Sequence, residues 1–170
     1  MPTIASLYQA LSPTTRSEVL QYFQQQERPA YRALVQALSS ARKLRPQYVL
    51  EKPRQEQLEW VGGQLLLRVH AALLEQTLQI WLIKSQTPML VTFLDVLGIA
   101  HDGKGQVEEL PEEIDAGKAS EAIAALLKTH PAEHVALYLH LFSTQRVGGW
   151  AGLAQAMASA PEIALEGLKD

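Results

Sequence analysis

The pentapeptide HPAEH, residues 130–134, matches the H-x-x-E-H pattern of one class of zinc metalloproteases. In that pattern two histidines on one helical face bind zinc, and the glutamate acts as the general base. Here Pro131 follows the first histidine, and a residue before proline is disfavoured in the helical conformation. The sequence therefore predicts His130 at the N-cap of a helix, outside it, with Glu133 at N3 and His134 at N4.

The histidine pair lacks a convincing third ligand, and a catalytic zinc site needs three from the protein. His140 follows His134 by six residues, about 240° around a helix at roughly 100° per residue, so one helix cannot direct both at one ion. Only a folded-back residue such as Glu162 or Glu166 could complete the set. We therefore expect no metal, and a metal-dependent hydrolase using His130, Glu133 and His134 stays as the least favoured alternative.

A second near-match is GIAHDGKG, residues 98–105, which follows G-x-x-x-x-G-K but ends in glycine. A phosphate-binding loop needs Ser or Thr at that position, a strand before it and a helix after it. The preceding residues have helical spacing and the following segment, QVEELPEE, is acidic, so we interpret Lys104 as the tip of a turn. The chain has no cysteine and no G-x-S-x-G elbow. We predict no catalytic residue and no cofactor.

Seven cations lie between Arg28 and Arg54, with Tyr31 and Tyr48 among them and only Glu27 and Glu51 as acids at the edges. Clustered Lys and Arg with nearby aromatics are typical of polyanion contacts. A pI near 6.0 is far from that of most nucleic-acid binders, and Tyr31 belongs to an apolar stripe that indicates the core. The predicted anion or partner contacts are Arg42, Lys43, Arg45, Lys52 and Arg54.

The charge is distributed unevenly along the chain. Residues 1–85 contain 10 Lys and Arg against 6 Asp and Glu, whereas residues 86–170 contain 5 against 12. This asymmetry indicates either an anionic partner for the first half or two halves that attract each other. At this stage both interpretations are open.

The elements that must position these residues are helices, because apolar residues recur at i, i+3, i+4 and i+7. Ser12, Thr87 and His130 each precede a proline, and proline is favoured at the first position of a helix. We predict an all-α fold, a single domain of six to eight helices or two packed sub-bundles. Its parts are a basic helical half (1–99), an acidic Gly/Glu-rich linker (100–114) and a helical half with a frayed tail from Pro161 (115–170). Gly62-Gly63 indicates a kink or a closely packed helix.

The most apolar window, Leu65–Ile83, carries Arg68, His70 and Glu75, so we interpret it as a buried helix of a soluble protein and His70 as a core residue. The amino terminus lacks the features of a signal peptide, and we expect a cytoplasmic protein. The favoured function is a non-enzymatic protein–protein interaction or scaffold module, with a protein partner or self-association as a homo-oligomer. The main alternative is polyanion or nucleic-acid binding through the basic stretch. No membrane partner is expected.

Overall fold

The computed structural model describes residues 2–166 and Leu168. These residues form ten α-helices and two 3-10 turns and contain no strand, which confirms the all-α prediction. Two of the helices, α4 and α10, are additional to those indicated by periodicity. The helices are α1 (Ile4–Ala10), α2 (Pro13–Gln26), α3 (Arg28–Ala41), α4 (Pro46–Leu50), α5 (Arg54–Leu65), α6 (Ala71–Ser85), α7 (Thr87–Leu97), α8 (Ala116–Leu127), α9 (Ala132–Ser143) and α10 (Ala151–Ala158).

Side-chain caps explain several helix starts. The Ser12 hydroxyl accepts a hydrogen bond from the Thr15 amide at 3.2 Å, and the Asp115 carboxylate accepts one from the Lys118 amide at 2.9 Å. Helix α7 begins at Thr87 with Gln86 as its N-cap, so Pro88 is at the second helical position and not the first, and the Thr87 hydroxyl donates to the Ile83 carbonyl at 2.6 Å. Gly98 ends α7 in the left-handed conformation, with φ of 70°.

The chain divides into two compact units, and the division lies within α6, between Trp81 and Leu82. The first unit contains Pro2–Trp81 together with Leu168. In this unit α3 packs against α2, α4 and α5 through its apolar stripe. The stripe residues that the sequence identified are buried: Tyr31, Leu34, Val35 and Leu38.

The second unit contains Leu82–Glu166, and α8 packs there against α7 and α10. Aromatic rings of α7 and α9 lie in its core, where Phe93 packs edge to face against Tyr138 and Phe142 at centroid distances of 5.2 and 5.1 Å. The acidic segment 100–114 lies inside this unit, where the Trp150 indole donates to the Pro111 carbonyl at 2.8 Å. This hydrogen bond holds segment 100–114 against the second unit.

A close backbone approach occurs at Gly152 rather than at Gly62-Gly63. A methyl group built on Gly152 would overlap the carbonyl oxygen of Ile114, whereas one built on Gly63 would meet nothing within 4 Å. Helix α5 runs through both of its glycines from Arg54 to Leu65. Glycine at 152 therefore lets α10 pack against the chain that enters α8.

In residues 2–166 and 168, no single helix is both long and apolar enough to cross a membrane. One pair of helical segments, Arg68–Ser85 and Thr87–Leu97, has the necessary length and composition only when taken together, and this pair is bent by 83°. The expected core position of His70 is confirmed, since its side chain is buried. Of the predicted frayed tail, Pro161–Ile163 form a 3-10 turn, and Gly167, Lys169 and Asp170 lie outside the described residues.

Candidate anion-binding cleft

The start of α3 brings two arginines to one face of the first unit. A single residue, Glu27, separates α2 from α3, so Arg28 occupies the first position of α3. Arg32 follows one helical turn later, and residues four apart lie next to each other on a helix surface. Both side chains are exposed, while Tyr31 between them points into the core and is only 4% exposed.

The start of α5 brings a third arginine to the same place. Arg54 is the first residue of α5, and Gln57 follows within the first turn with 8% of its side chain exposed. The Gln57 amide nitrogen donates to the carbonyls of Leu50 and Lys52 at 3.0 and 2.8 Å. These bonds fix the segment between α4 and α5, and they therefore hold Leu50 and Arg54 in position.

Two further bonds tie this segment to α2 and α3. The Tyr31 hydroxyl donates to the Gln57 side-chain oxygen at 3.0 Å, and the Gln24 amide nitrogen donates to the Arg54 carbonyl at 3.3 Å. Burial raises the pKa of Tyr31 above its usual value, and the hydrogen bond from Gln24 offsets part of this effect. The phenol consequently stays protonated near neutral pH and remains a donor to Gln57. Four helices thus share one hydrogen-bonded frame.

This frame encloses an open cleft of about 270 Å³. That volume is below the roughly 300–1,000 Å³ of sites for whole drug-sized ligands, so it suits a charged group of a larger partner. The cleft is lined by polar and cationic side chains and one leucine, without any carboxylate: Gln24, Gln25, Arg28, Tyr31, Arg32, Leu50, Arg54 and Gln57.

The electrostatics of the cleft favour an oxyanion. Arginine remains protonated at every physiological pH, so the lining carries three permanent positive charges. Within the part of the chain that the structure describes, none of Arg28, Arg32 and Arg54 forms an ion pair. A guanidinium binds carboxylate or phosphate through two parallel hydrogen bonds. No lining residue is a nucleophile or a general base near neutral pH, so this arrangement can bind an anion but lacks the groups for acid–base catalysis.

Helix α4 carries two exposed apolar side chains, one of which lines the cleft. On α4, Tyr48 is 56% exposed and Leu50 is 36% exposed, and Leu50 also lines the cleft. The ammonium group of Lys52 lies 4.8 Å from the centre of the Tyr48 ring, a cation–π arrangement. We give the name basic face to the cleft residues Arg28, Arg32, Leu50 and Arg54 together with Tyr48 and Lys52, which are neighbours of Leu50 along the chain.

Of the five predicted contact residues, only Arg54 lines the cleft, and Lys52 belongs to the basic face because it follows Leu50 by two residues. Arg42 ends α3 and Lys43 follows it with a left-handed φ of 56°, so both lie at the opposite end of that helix from the cleft. Ten residues of helix separate Arg42 from Arg32, which is about 15 Å along the axis. Arg45 precedes α4 at the same end. These three cations are exposed to solvent, and contact between them and a partner stays a prediction.

The basic face also contains Arg28 and Arg32, which the sequence prediction omitted from the contact set. Their four-residue spacing places both on one face of a helix. This spacing could have predicted from the sequence that the two arginines lie side by side. The role of Gln57 had no such signal, because it depends on carbonyls of another segment and on a tyrosine 26 residues away.

The HPAEH segment differs from its prediction by one residue. Helix α9 begins at Ala132 with Pro131 as its N-cap, so Glu133 is at N2, His134 is at N3, and His130 lies outside the cap. The extended ψ of 141° at Pro131 delays the helix, and the Pro131 carbonyl accepts its first hydrogen bond, from Val135. His130 therefore does not cap the backbone amides. No group of three or more His, Asp or Glu in residues 2–166 and 168 could hold a metal ion.

The glycine-rich segment after α7 folds as the predicted turn, with Lys104 exposed at its tip. Its neighbours Gly103 and Gly105 have φ of 80° and 90°. The Asp102 carboxylate accepts hydrogen bonds from the amides of Lys104 and Gln106 at 2.7 and 3.1 Å, and these bonds, that from Lys104 first, lower its pKa. Two amides of this loop are therefore already paired with a carboxylate of the protein, unlike those of a phosphate-binding loop.

Comparison of the chain with protein-family models, with curated protein sequences and with solved structures gave no match.

Proposed function

We propose that the protein is a non-enzymatic interaction module that binds an acidic segment of a protein partner through the basic face. The observation that carries this proposal is the cleft lined by Arg28, Arg32 and Arg54 without a carboxylate. Three permanent charges around one small cleft repel each other, and an anionic group would relieve that repulsion. A cytoplasmic setting is part of the proposal, supported by the absence of cysteine.

The apolar part of the basic face favours a polypeptide over a nucleic acid. Tyr48 and Leu50 give it an aromatic ring and an aliphatic side chain beside the charges. Aromatic and arginine residues are enriched in protein interfaces, where a few of them supply most of the binding energy. A nucleic acid would gain from cations and stacking rings but little from Leu50. An acidic peptide with one apolar residue matches all three kinds of group.

The proposal is tested by titrating the protein with a fluorescein-labelled peptide of sequence EELEE. We expect saturable binding whose affinity falls by about tenfold between roughly 50 and 500 mM NaCl, because salt screens exposed charges. The triple variant Arg28→Gln, Arg32→Gln, Arg54→Gln should lose at least about tenfold in affinity, or 1.4 kcal/mol.

A matched control removes the same number of positive charges at the other end of α3: Arg42→Gln, Lys43→Gln, Arg45→Gln. This control should stay within about twofold of the unmodified protein, because none of the three residues lines the cleft and Arg42 lies about 15 Å along α3 from Arg32. Equal losses in the two triple variants would contradict a specific site. If an oligonucleotide of equal charge bound as well, and Leu50→Ala weakened neither ligand, nucleic-acid binding would replace the proposal.

A further inference from the structure

The acidic segment from Glu108 to Glu113 displays its side chains on a backbone that the second unit holds in place. It has no helix or strand, yet the Pro111 carbonyl accepts from Trp150 and the Glu112 carbonyl accepts from Arg146. The side chain of Leu110 is 37% exposed. We call the following exposed residues the acidic strip: Glu108, Glu109, Leu110, Glu112 and Glu113.

The carboxylates of the acidic strip are available for an outside cation. None of these four glutamates forms an ion pair within residues 2–166 and 168. The Arg146 guanidinium donates to a backbone carbonyl and lies 6.0 Å from the Trp150 ring. Leu110, Glu109 and Glu113 also line a groove of about 760 Å³, in which Lys118 is the only cation among the lining residues.

The acidic strip and the basic face match each other in composition. The strip presents four carboxylates around one exposed leucine, whereas the face presents three guanidinium groups and one ammonium group beside Leu50 and Tyr48. Six residues of extended chain span at most about 20 Å, so the carboxylates are spread over a length that a face built from three helices can cover. Because the strip is already held by its unit, docking would order little additional backbone.

From this match we infer that the partner of the basic face is the acidic strip of a second copy of the chain. The inference rests on the proposed function and names its partner. The two surfaces are different, so the contact is head-to-tail: each copy uses its basic face on one neighbour and its acidic strip on another. Such a contact gives open chains of copies unless the rotation between them closes a ring.

The test uses two full-length variants, one without the three arginines of the basic face and one without the four glutamates of the acidic strip. The face variant carries Arg28→Gln, Arg32→Gln and Arg54→Gln, and the strip variant carries Glu108→Gln, Glu109→Gln, Glu112→Gln and Glu113→Gln. Sedimentation velocity of the unmodified protein, up to about 300 µM in roughly 50 mM NaCl, should show a mean mass that rises with concentration and returns to that of a monomer near 500 mM NaCl.

Each variant alone should remain a monomer, because it lacks one of the two complementary surfaces. An equimolar mixture of the two variants should form dimers and nothing larger. The face variant keeps its acidic strip and the strip variant keeps its basic face, so each pair can form one contact and no more. A monomeric unmodified protein at every concentration would overturn the inference, and so would a mixture that stays monomeric. The control variant Arg42→Gln, Lys43→Gln, Arg45→Gln should associate like the unmodified protein, and its failure to do so would also overturn the inference.

This experiment separates the inference from the proposed function. If the protein binds EELEE at the basic face but remains a monomer, only the inference fails; if it does not bind EELEE, the proposed function fails as well.

Should a variant lose its helical circular dichroism signal, the peptide Gln106–Ile114 decides instead. Added in excess to the unmodified protein, it should return the mean mass to that of a monomer, and an unchanged mass would overturn the inference.

Discussion

At the scale of single residues, Arg28 and Arg54 are placed where a positive charge is locally unfavourable. Each is the first residue of a helix, and α3 has no acid in its first turn. A cation there opposes the helix dipole and costs about 0.3–1 kcal/mol at an exposed site. Proteins tend to break such local rules at functional sites. This placement therefore supports a binding role for both residues.

The Gln57 amide should contribute measurably to stability because its partners lie on two other segments. Gln57→Leu removes the donor to the Leu50 and Lys52 carbonyls and the acceptor of the Tyr31 hydroxyl. We expect the free energy of unfolding to fall by about 1–3 kcal/mol. Urea unfolding followed by circular dichroism measures this change. The exposed residue Gln36 on the same helix as Tyr31 provides a control, and Gln36→Leu should change stability by less than about 0.5 kcal/mol.

His130 should make the second unit less stable in mild acid. Burial, followed by the nearby charge of His134, lowers the pKa of His130 from its ordinary value of 6.5. Below pH 6.5 the unfolded chain therefore binds more protons than the folded chain does, and stability is lost as the pH falls. His130→Asn should reduce the loss of unfolding free energy between about pH 7.5 and pH 5.5. An identical pH dependence in the variant would show that His130 does not contribute.

At the scale of elements, the sequence predicted the longer helices well because each carries an apolar stripe. The apolar stripes of α3 and α9 are buried as expected, as are Leu90, Phe93 and Leu94 of α7, and Asp115 caps α8 while Gly98 ends α7. Helix α4 has only five residues, which is too short to give a period. Yet α4 carries the exposed Tyr48 and Leu50, so the missed element is part of the candidate site.

The candidate site was predicted less well than the fold, because residues that are close in sequence can lie at opposite ends of a helix. Arg42, Lys43 and Arg45 are near Arg54 in sequence, but α4 and the segments around it return the chain to the start of α3 before Arg54 is reached. Arg28 is 26 residues from Arg54 and lines the same cleft. Such a pairing depends on how α3 and α5 pack, which periodicity does not reveal.

Replacing glycine with alanine should raise stability at Gly63 and lower it at Gly152. Gly63→Ala adds a methyl group to open space inside α5, and alanine stabilises a helix interior by about 0.8–1 kcal/mol relative to glycine. Gly152→Ala forces a methyl group onto the Ile114 carbonyl, and such overpacking costs about 1–3 kcal/mol or more. Urea unfolding of the two variants measures both signs. Similar stability of the two variants would contradict the close approach of α10 to Ile114.

At the scale of the whole molecule, the uneven charge of the sequence follows the two units. Pro2–Trp81 contain 9 Lys and Arg against 6 Asp and Glu, and Leu82–Glu166 contain 5 against 11. A molecule with one basic and one acidic unit attracts copies of itself in a head-to-tail orientation, and salt weakens that attraction. The overall charge of −3 conceals this property, since it is the sum of +3 on the first unit and −6 on the second.

The most direct test of the basic face reverses its charge and asks whether its ligand preference reverses too. The variant Arg28→Glu, Arg32→Glu, Arg54→Glu should fold, because glutamate at the first position of α3 and of α5 complements the helix dipole. Fluorescence titration should show that the unmodified protein binds EELEE and not KKLKK, and that the reversed variant binds KKLKK and not EELEE. A folded variant that still binds EELEE with unchanged affinity would contradict the claim that this cleft recognises an acidic partner.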